Sequence, residues 1–110
     1  RLDISVAKDR NPEFVMLSDG TVRNAYTIKL RNMEARPRKV AITVSGLPDI
    51  SIASDAEVEV LPTEVRSAVL RVQIPPGAAP SGSHAIHFDI RSMGDDPAQV
   101  TEKAAFLVPR

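Results

Sequence analysis

The stretch from residue 10 to residue 32 constrains the fold of this chain more than any other part of it. Asp19-Gly20 lies between two apolar runs and predicts a tight turn, because glycine tolerates positive φ and aspartate can bond the nearby backbone. From residue 22 to residue 32, apolar and polar side chains alternate. The apolar positions on one side of this segment include Tyr26, Ile28 and Leu30. A period of two is typical of a β-strand with one buried face, so we expect one side of this strand to pack against a core.

Similar short segments recur along the rest of the chain, and they predict further strands. These segments span residues 2–6, 14–17, 39–45, 50–52, 58–60, 65–74, 84–91 and 99–108. The segment 14–17 is interpreted as the first edge strand continued after a kink. Nine prolines punctuate the chain, and no long window shows the 3.6-residue period of an amphipathic helix. About seven to nine short strands separated by turn signals indicate an all-β, immunoglobulin-like antiparallel sandwich.

Length and composition support a single domain without covalent cross-links. A chain of 110 residues can bury one core, and an apolar fraction of 43% favours folding over disorder. We therefore expect residues 1–110 to form one domain. The chain has no tryptophan and no cysteine, so aliphatic packing must replace the Cys–Trp–Cys core of antibody domains. The lack of cysteine also excludes a disulfide, a cysteine-ligated iron–sulfur cluster and a thiolate zinc site within this chain.

Charge is balanced overall but uneven along the chain. Fourteen basic and fourteen acidic residues give a formal net charge of zero, which argues against nucleic-acid binding because such binding depends on clustered positive charge. Basic residues of the first half are Arg23, Lys29, Arg31, Arg36, Arg38 and Lys39. Acidic residues of the middle are Asp49, Asp55, Glu57, Glu59 and Glu64. We expect solvated faces with cross-strand ion pairs, and the alternative is a surface that steers a charged partner.

Three sets of side chains have the chemistry of metal ligands, but none has the spacing that is typical of a metal site. His84 and His87 are three residues apart, so on one strand they point to opposite faces. The methionines are Met16, Met33 and Met93, which are far apart in sequence, whereas soft copper(I) sites gather their thioethers. The carboxylates Asp89, Asp95 and Asp96 lack the alternation of a calcium loop, and the last two precede a proline, which indicates a turn. We predict no metal site.

Motifs of catalysis and cofactor binding are also missing. The sequence has no nucleophile elbow and no glycine-rich phosphate loop followed by a helix. We therefore predict no catalytic residue, no cofactor-binding residue and no enzyme activity in this chain.

A family resemblance rests on a group of residues between positions 9 and 32. The residues that carry it are Arg10-Asn11-Pro12, Leu17-Ser18-Asp19-Gly20, Arg23-Asn24, Tyr26, Lys29 and Asn32. Together they resemble the C-terminal immunoglobulin-like domain of the FixG/CcoG family. These are bacterial membrane-bound, ferredoxin-like accessory proteins for assembling cbb-type haem–copper oxidases. Beyond residue 32 the resemblance continues more loosely, through Gly46-Leu47-Pro48 and the strand pattern.

The resemblance implies a function that the composition does not reveal. It implies a non-catalytic, extracytoplasmic domain of a larger membrane protein at the periplasmic face of the bacterial inner membrane. Iron–sulfur clusters, electron transfer and copper reduction then belong to the part of the protein outside this chain, as do the transmembrane segments. The implied partners are the oxidase, its assembly factors or the rest of the same polypeptide.

A generic bacterial sandwich module for adhesion or carbohydrate binding is the alternative function. A sugar-binding face normally presents exposed aromatic side chains. The aromatic residues of this chain are Phe14, Tyr26, Phe88 and Phe106, and all four are expected in the core. The hypothesis of carbohydrate binding is therefore weaker than that of a FixG/CcoG-like domain.

Two roles remain open for the polar group around the predicted turn. The group comprises Arg10, Asn11, Ser18, Asp19, Gly20, Arg23 and Asn24. As an architectural lock, Asp19 would accept backbone N–H bonds, while Arg23 and Asn24 would bond carbonyls at the 10–12 kink. As a docking surface, the same group would bind an assembly partner. The sequence favours the lock and leaves the docking surface open.

Overall fold

The computed structural model describes residues 2–10, 13–94 and 98–110, which form nine strands and no helix. The strands are β1 (Leu2–Lys8), β2 (Val15–Met16), β3 (Val22–Asn32), β4 (Arg38–Ser45), β5 (Ser51–Ile52), β6 (Glu57–Val60), β7 (Val65–Ile74), β8 (Gly82–Met93) and β9 (Gln99–Val108). The prediction of an all-β chain with seven to nine strands is confirmed.

The strands pair into two antiparallel sheets. The first sheet has the order β1-β3-β7-β5, and the second has the order β6-β4-β8-β9. β2 pairs with the start of β3 on the side opposite β7, so it continues the edge formed by β1. This arrangement confirms the predicted immunoglobulin-like sandwich and the interpretation of β2 as the first edge resumed after a kink.

β3 is the central strand of the core. Its side chains alternate between buried and more exposed positions along the whole strand, and Tyr26, Ile28 and Leu30 are fully buried. The Tyr26 ring meets Phe88 of the opposite sheet edge-on, with ring centroids 5.1 Å apart. Each fully buried aliphatic side chain contributes about 1.5–3 kcal/mol to folding. Aliphatic packing around the three buried aromatic rings of Tyr26, Phe88 and Phe106 therefore fills the space between the sheets.

Polar side chains on the inner face of β3 also link the two sheets directly. The Tyr26 hydroxyl donates a hydrogen bond to the carbonyl of Ala105 in β9, at 2.6 Å. Asn32 is fully buried, and its side-chain amide donates to the carbonyl of Val60 in β6, at 3.0 Å. Burial raises the pKa of the Tyr26 hydroxyl, which keeps it protonated as a donor. Tyr26, Asn32 and a third residue of β3, Asn24, are called the inter-sheet ties.

Several local expectations were wrong. Phe14 was expected in the core but is 38% exposed, and Met16 of the same segment is 54% exposed. Arg38 was placed outside the predicted strand 39–45, yet it begins β4 and is buried. There the Arg38 guanidinium donates to Ser92 Oγ at 2.7 Å and to a Glu34 carboxylate oxygen at 3.0 Å. These bonds permit burial of the charge, which sequence alternation alone does not reveal.

None of the described residues forms a helix long and apolar enough to cross a membrane.

Candidate functional site: the turn notch and the basic face

The predicted turn is present and closes through backbone bonds. The N–H of Gly20 donates to the carbonyl of Leu17 at 2.9 Å, and the N–H of Leu17 donates to that of Thr21 at 2.8 Å. Gly20 has a φ of +93°, a conformation that side chains with a Cβ rarely adopt. The carboxylate of Asp19 accepts the Thr21 N–H at 2.9 Å. The turn therefore has the local bonding that the Asp-Gly pair predicted.

Asp19 stands at the rim of an open notch at this end of the sandwich. The notch is lined by Asp19, Thr21, Asp49, Ser51, Gln73, Ile74, Pro75 and Pro76, and is called the turn notch. The bond from the Thr21 N–H lowers the pKa of the Asp19 carboxyl. Asp19 is therefore an exposed, charged acceptor at neutral pH.

Arg23 is held by a neighbouring strand. Its Nε and Nη2 both donate to Gln73 Oε1, at 3.2 Å and 2.8 Å, and the two residues face each other across β3 and β7. The proposed carbonyl acceptors at Asn11 and Pro12 lie outside the described residues, so that pairing stays a prediction. Arg10 and Ser18, two further members of the polar group, are exposed.

Asn24 lies in the interior, away from the kink it was expected to serve. It is 1% exposed, and its side chain bonds to the backbone of Leu107 in β9 in both directions. The amide nitrogen donates to the Leu107 carbonyl at 3.0 Å, and the amide oxygen accepts the Leu107 N–H at 2.9 Å. One side chain thus replaces a strand partner for Leu107 and joins the two sheets.

Other residues hold the kink between β1 and β2, and none of them belongs to the predicted polar group. Thr27 Oγ1 donates to the Asp9 carboxylate at 2.9 Å, and the Asp9 N–H donates to Ala25 O at 2.9 Å. The Lys8 ammonium donates to the backbone carbonyls of Asp9 and Glu13. Desolvation lowers the pKa of Lys8. The signal available in the sequence was that Lys8 occupies an inward position of β1, where a charge needs backbone partners.

The predicted cluster of basic residues divides between the sheets. Lys39 lies on the second sheet opposite Glu59, and Arg36 lies 3.6 Å from the Glu34 carboxylate. Arg38 is buried at the start of β4 in the second sheet. Arg23, Lys29 and Arg31 lie on the outer face of the first sheet, where β7 adds Arg71, which was not in the predicted cluster. This surface is called the basic face and comprises Arg23, Lys29, Arg31 and Arg71.

Neutral side chains separate the charges of the basic face. Val69 lies opposite Thr27 and is 45% exposed, and Val65 lies opposite Arg31 and is 60% exposed. The only carboxylate directly opposite one of the β3 cations along β1 is that of Asp3, across from Arg31. The outer surface of the first sheet is thus a positively charged strand face with exposed valines.

The candidate metal ligands remain dispersed. His84 is half-buried, with Nε2 2.7 Å from the Pro80 carbonyl, whereas His87 is exposed opposite Lys103. Within residues 2–10, 13–94 and 98–110, no group of three or more His, Asp or Glu side chains is placed to hold a metal ion. Asp95 and Asp96 lie outside the described residues.

The two antiparallel sheets and their aliphatic core define an immunoglobulin-like β-sandwich domain. The family model described as "IG-like fold at C-terminal of FixG, putative oxidoreductase" matches residues 1–109. The chain therefore belongs to the family of FixG C-terminal immunoglobulin-like domains. This membership confirms the resemblance that the residues between positions 9 and 32 suggested.

Curated relatives agree with this assignment. Nitrogen fixation protein FixG of Rhizobium meliloti is 50% identical over 48 residues, which is 44% of this chain and 9% of the relative. Protein RdxA of Cereibacter sphaeroides is 37% identical over 84 residues, 74% of this chain and 17% of the relative. The chain thus corresponds to less than a fifth of the length of either protein.

Solved structures show the same fold. A FixG-related protein from Vibrio parahaemolyticus superposes with a TM-score of 0.82 at 24% identity, covering 96% of this chain and 94% of that one. An alpha-2-macroglobulin from Escherichia coli superposes with a TM-score of 0.63 at 18% identity, covering 99% of this chain and 17% of that one. These similarities establish the architecture of the domain.

Proposed function

We propose that this domain is a non-catalytic protein-contact module of a longer FixG-like protein at the periplasmic face of the bacterial inner membrane. The longer protein would carry iron–sulfur clusters, transfer electrons and reduce copper during assembly of a cbb-type oxidase. Family membership over residues 1–109 supports this proposal. The zero cysteine count is consistent with placing cysteine-ligated clusters outside this chain.

The proposed role in protein contacts is supported mainly by the charges of the basic face. Among the described residues, none forms a hydrogen bond or ion pair with the side chains of Lys29, Arg31 or Arg71. Alternate residues on a strand are about 7 Å apart, which is less than the Debye length of about 8 Å at physiological ionic strength. Neighbouring cations on this face therefore repel one another, and an acidic partner would relieve that repulsion.

The exposed valines of the same face add an apolar component to this surface. A positive surface steers an acidic partner and fixes its orientation, while burial of Val65 and Val69 adds affinity. We infer that the partner presents a carboxylate-rich protein surface. It belongs to the oxidase, to an assembly factor or to another part of the same polypeptide.

A pair of matched charge reversals in the full-length protein tests this role. Lys29→Glu alters the basic face, and Lys103→Glu makes the same change at an exposed position of β9. We expect Lys29→Glu to lower the yield of mature oxidase by about tenfold, since like-charge contacts cost several kcal/mol, while Lys103→Glu stays near wild type. Protein abundance and thermal midpoint should remain unchanged in both. Equal oxidase yields in the two variants would contradict the proposal.

A further inference from the structure

In the part of the chain that the structure describes, the two sheets have four edges, and the two at one side are formed by a short strand, β5, and a strand with occupied carbonyls, β6. β5 has two residues. On β6, the Glu59 carbonyl accepts a bond from Arg66, and the Val60 carbonyl accepts one from Asn32, both at 3.0 Å. Neither edge offers a long row of free backbone groups, which an added strand requires.

The C-terminal end of the β9 edge is occupied by side chains of the first sheet, and the middle of the strand carries charged residues. The inter-sheet ties Asn24 and Tyr26 bond to its backbone near the C-terminal end. Toward the N-terminal end of β9, the side chain of Glu102 lies on the same inner side as that of Phe106 and is half-buried, and Lys103 beside it is exposed. Lysines and inward-pointing charges are devices that prevent an edge from pairing with another strand.

The edge of β1 carries one inward-pointing charge, that of Lys8 at its C-terminal end, and the ammonium group of Lys8 is bonded to the backbone carbonyls of Asp9 and Glu13. The Asp9 N–H bonds to the Ala25 carbonyl, and β1 continues in the same register along β3. Because antiparallel strands alternate their bonding, odd-numbered residues of β1 bond to β3 and even-numbered residues direct their N–H and C=O groups away. No described residue forms a backbone bond with Ile4 or Val6 on that free side.

The side chains around this free edge are compatible with a neighbouring strand. Ile4 and Val6 point inward and pack against the core, and both side chains are partly exposed. Ser5 and Ala7 point outward and are exposed. The segment from Ile4 to Ala7 therefore carries no charge, and its row of free backbone groups fits an extended strand.

We propose that the β1 edge binds the β1 edge of a second copy of this chain, antiparallel and centred on Ser5. In this register Ile4 lies opposite the partner's Val6, and Asp3 lies opposite the partner's Ala7. In each of the two symmetric Ile4–Val6 pairs, both residues donate an N–H to the carbonyl of the other. The two pairs together give about four backbone hydrogen bonds. No two like charges face each other directly.

Two symmetric pairings of the β9 edge are disfavoured by like charges. A register centred on Lys103 would oppose two lysines, and one centred on Glu102 would oppose two glutamates. Like charges directly opposite each other destabilise strand pairs. The register centred on Ser5 of β1 opposes no like charges.

This dimer would align the two basic faces. Residues directly opposite each other in an antiparallel pair point to the same side of the sheet, so both outer faces lie on one side of a continuous sheet. The short edge buries little area, and we expect a dissociation constant of about 10 µM to 1 mM. The inference does not depend on the proposed assembly function, because it rests on the backbone of β1.

Cysteine cross-linking of the purified chain tests the register directly, since the native sequence has no cysteine. Two residues facing each other without backbone bonds between them have Cα atoms about 4.5 Å apart, within the range of a disulfide. Ser5→Cys should therefore form a covalent dimer on mild oxidation. Ala7→Cys is the matched control, because this register separates the two copies of residue 7 by about 14 Å.

We expect Ser5→Cys to cross-link at least about tenfold faster than Ala7→Cys. Sedimentation equilibrium of the wild-type chain should show a concentration-dependent dimer up to about 1 mM, the weak end of the expected range. Equal cross-linking of the two variants would overturn the proposal, as would a wild-type chain that stays monomeric over that range. Cross-linking of Ser5→Cys in the full-length protein to another segment of the same polypeptide would identify a different occupant and also overturn it.

Discussion

Asn24 provides the most direct test of how the two sheets are held together. Replacing it with alanine removes both bonds to the Leu107 backbone. Each hydrogen bond contributes about 0.5–1.5 kcal/mol net, and an orphaned buried group costs about 1–3 kcal/mol. Leu107 is half-buried, so water can reach it in part. We expect Asn24→Ala to lower the free energy of unfolding by about 2–4 kcal/mol, a large share of the roughly 5–15 kcal/mol typical of a domain.

The aspartate variant separates a hydrogen-bonding role from simple packing. Asn24→Asp keeps the shape and the acceptor for the Leu107 N–H, but its carboxylate faces the Leu107 carbonyl. Repulsion and burial raise the pKa of this aspartate in the folded state, because only its protonated form can donate to that carbonyl. The variant's stability deficit should therefore be small below the unfolded pKa of about 3.9 and grow as the pH rises through the folded pKa.

Urea denaturation followed by circular dichroism measures both effects. Thr43→Ala, at an exposed position of β4, is the control for loss of a polar strand residue and should change stability by less than about 0.5 kcal/mol. An Asn24→Ala variant as stable as this control would contradict the role of the two bonds to Leu107. A stability deficit of Asn24→Asp relative to wild type that shrinks as the pH rises would contradict it as well.

Three further predictions concern other residues. Tyr26→Phe removes the bond to the Ala105 carbonyl, and its free energy of unfolding in urea should fall by about 1–2 kcal/mol. Gly46→Ala would place a Cβ 2.9 Å from the Ala85 carbonyl oxygen at a φ of +124°, so its thermal midpoint should fall by at least about 4 °C; an unchanged midpoint would contradict this. Asp19 has a lowered pKa, so its contribution to stability is present at neutral pH and is lost as the pH falls through the folded pKa. Asp19→Asn, which cannot titrate, should lose less stability on acidification, as acid titrations followed by fluorescence of an added dye or by circular dichroism would show.

The sequence revealed the strands because alternation is a local property. Tyr26, Ile28 and Leu30 occupy the buried positions that period two predicted. Phe14 was assigned to the core for its hydrophobicity, but β2 is only two residues long and leaves this side chain exposed. Hydrophobicity indicates which residues can be buried, whereas the lengths of paired strands decide which ones are buried.

The surfaces depend on strand order, which local patterns do not encode. The outward direction of Arg71 followed from alternation, but its place beside the β3 cations required the pairing of β3 with β7. Asn24 was expected to bond carbonyls at the 10–12 kink, because it follows the predicted turn closely in the sequence. Its partner is 83 positions away, and no local pattern connects positions so distant.

The inter-sheet ties determine where in the chain substitutions should be tolerated. Asn24, Tyr26 and Asn32 reach across the core with side chains, yet their acceptors in β6 and β9 are backbone carbonyls. A backbone carbonyl is present whatever amino acid supplies it, so the receiving strands can change their residues while keeping the bond. Selection on this contact therefore acts almost entirely on β3. During divergence, a recognisable signature would persist in that strand, while its contact strands in the opposite sheet would retain little more than an alternating pattern.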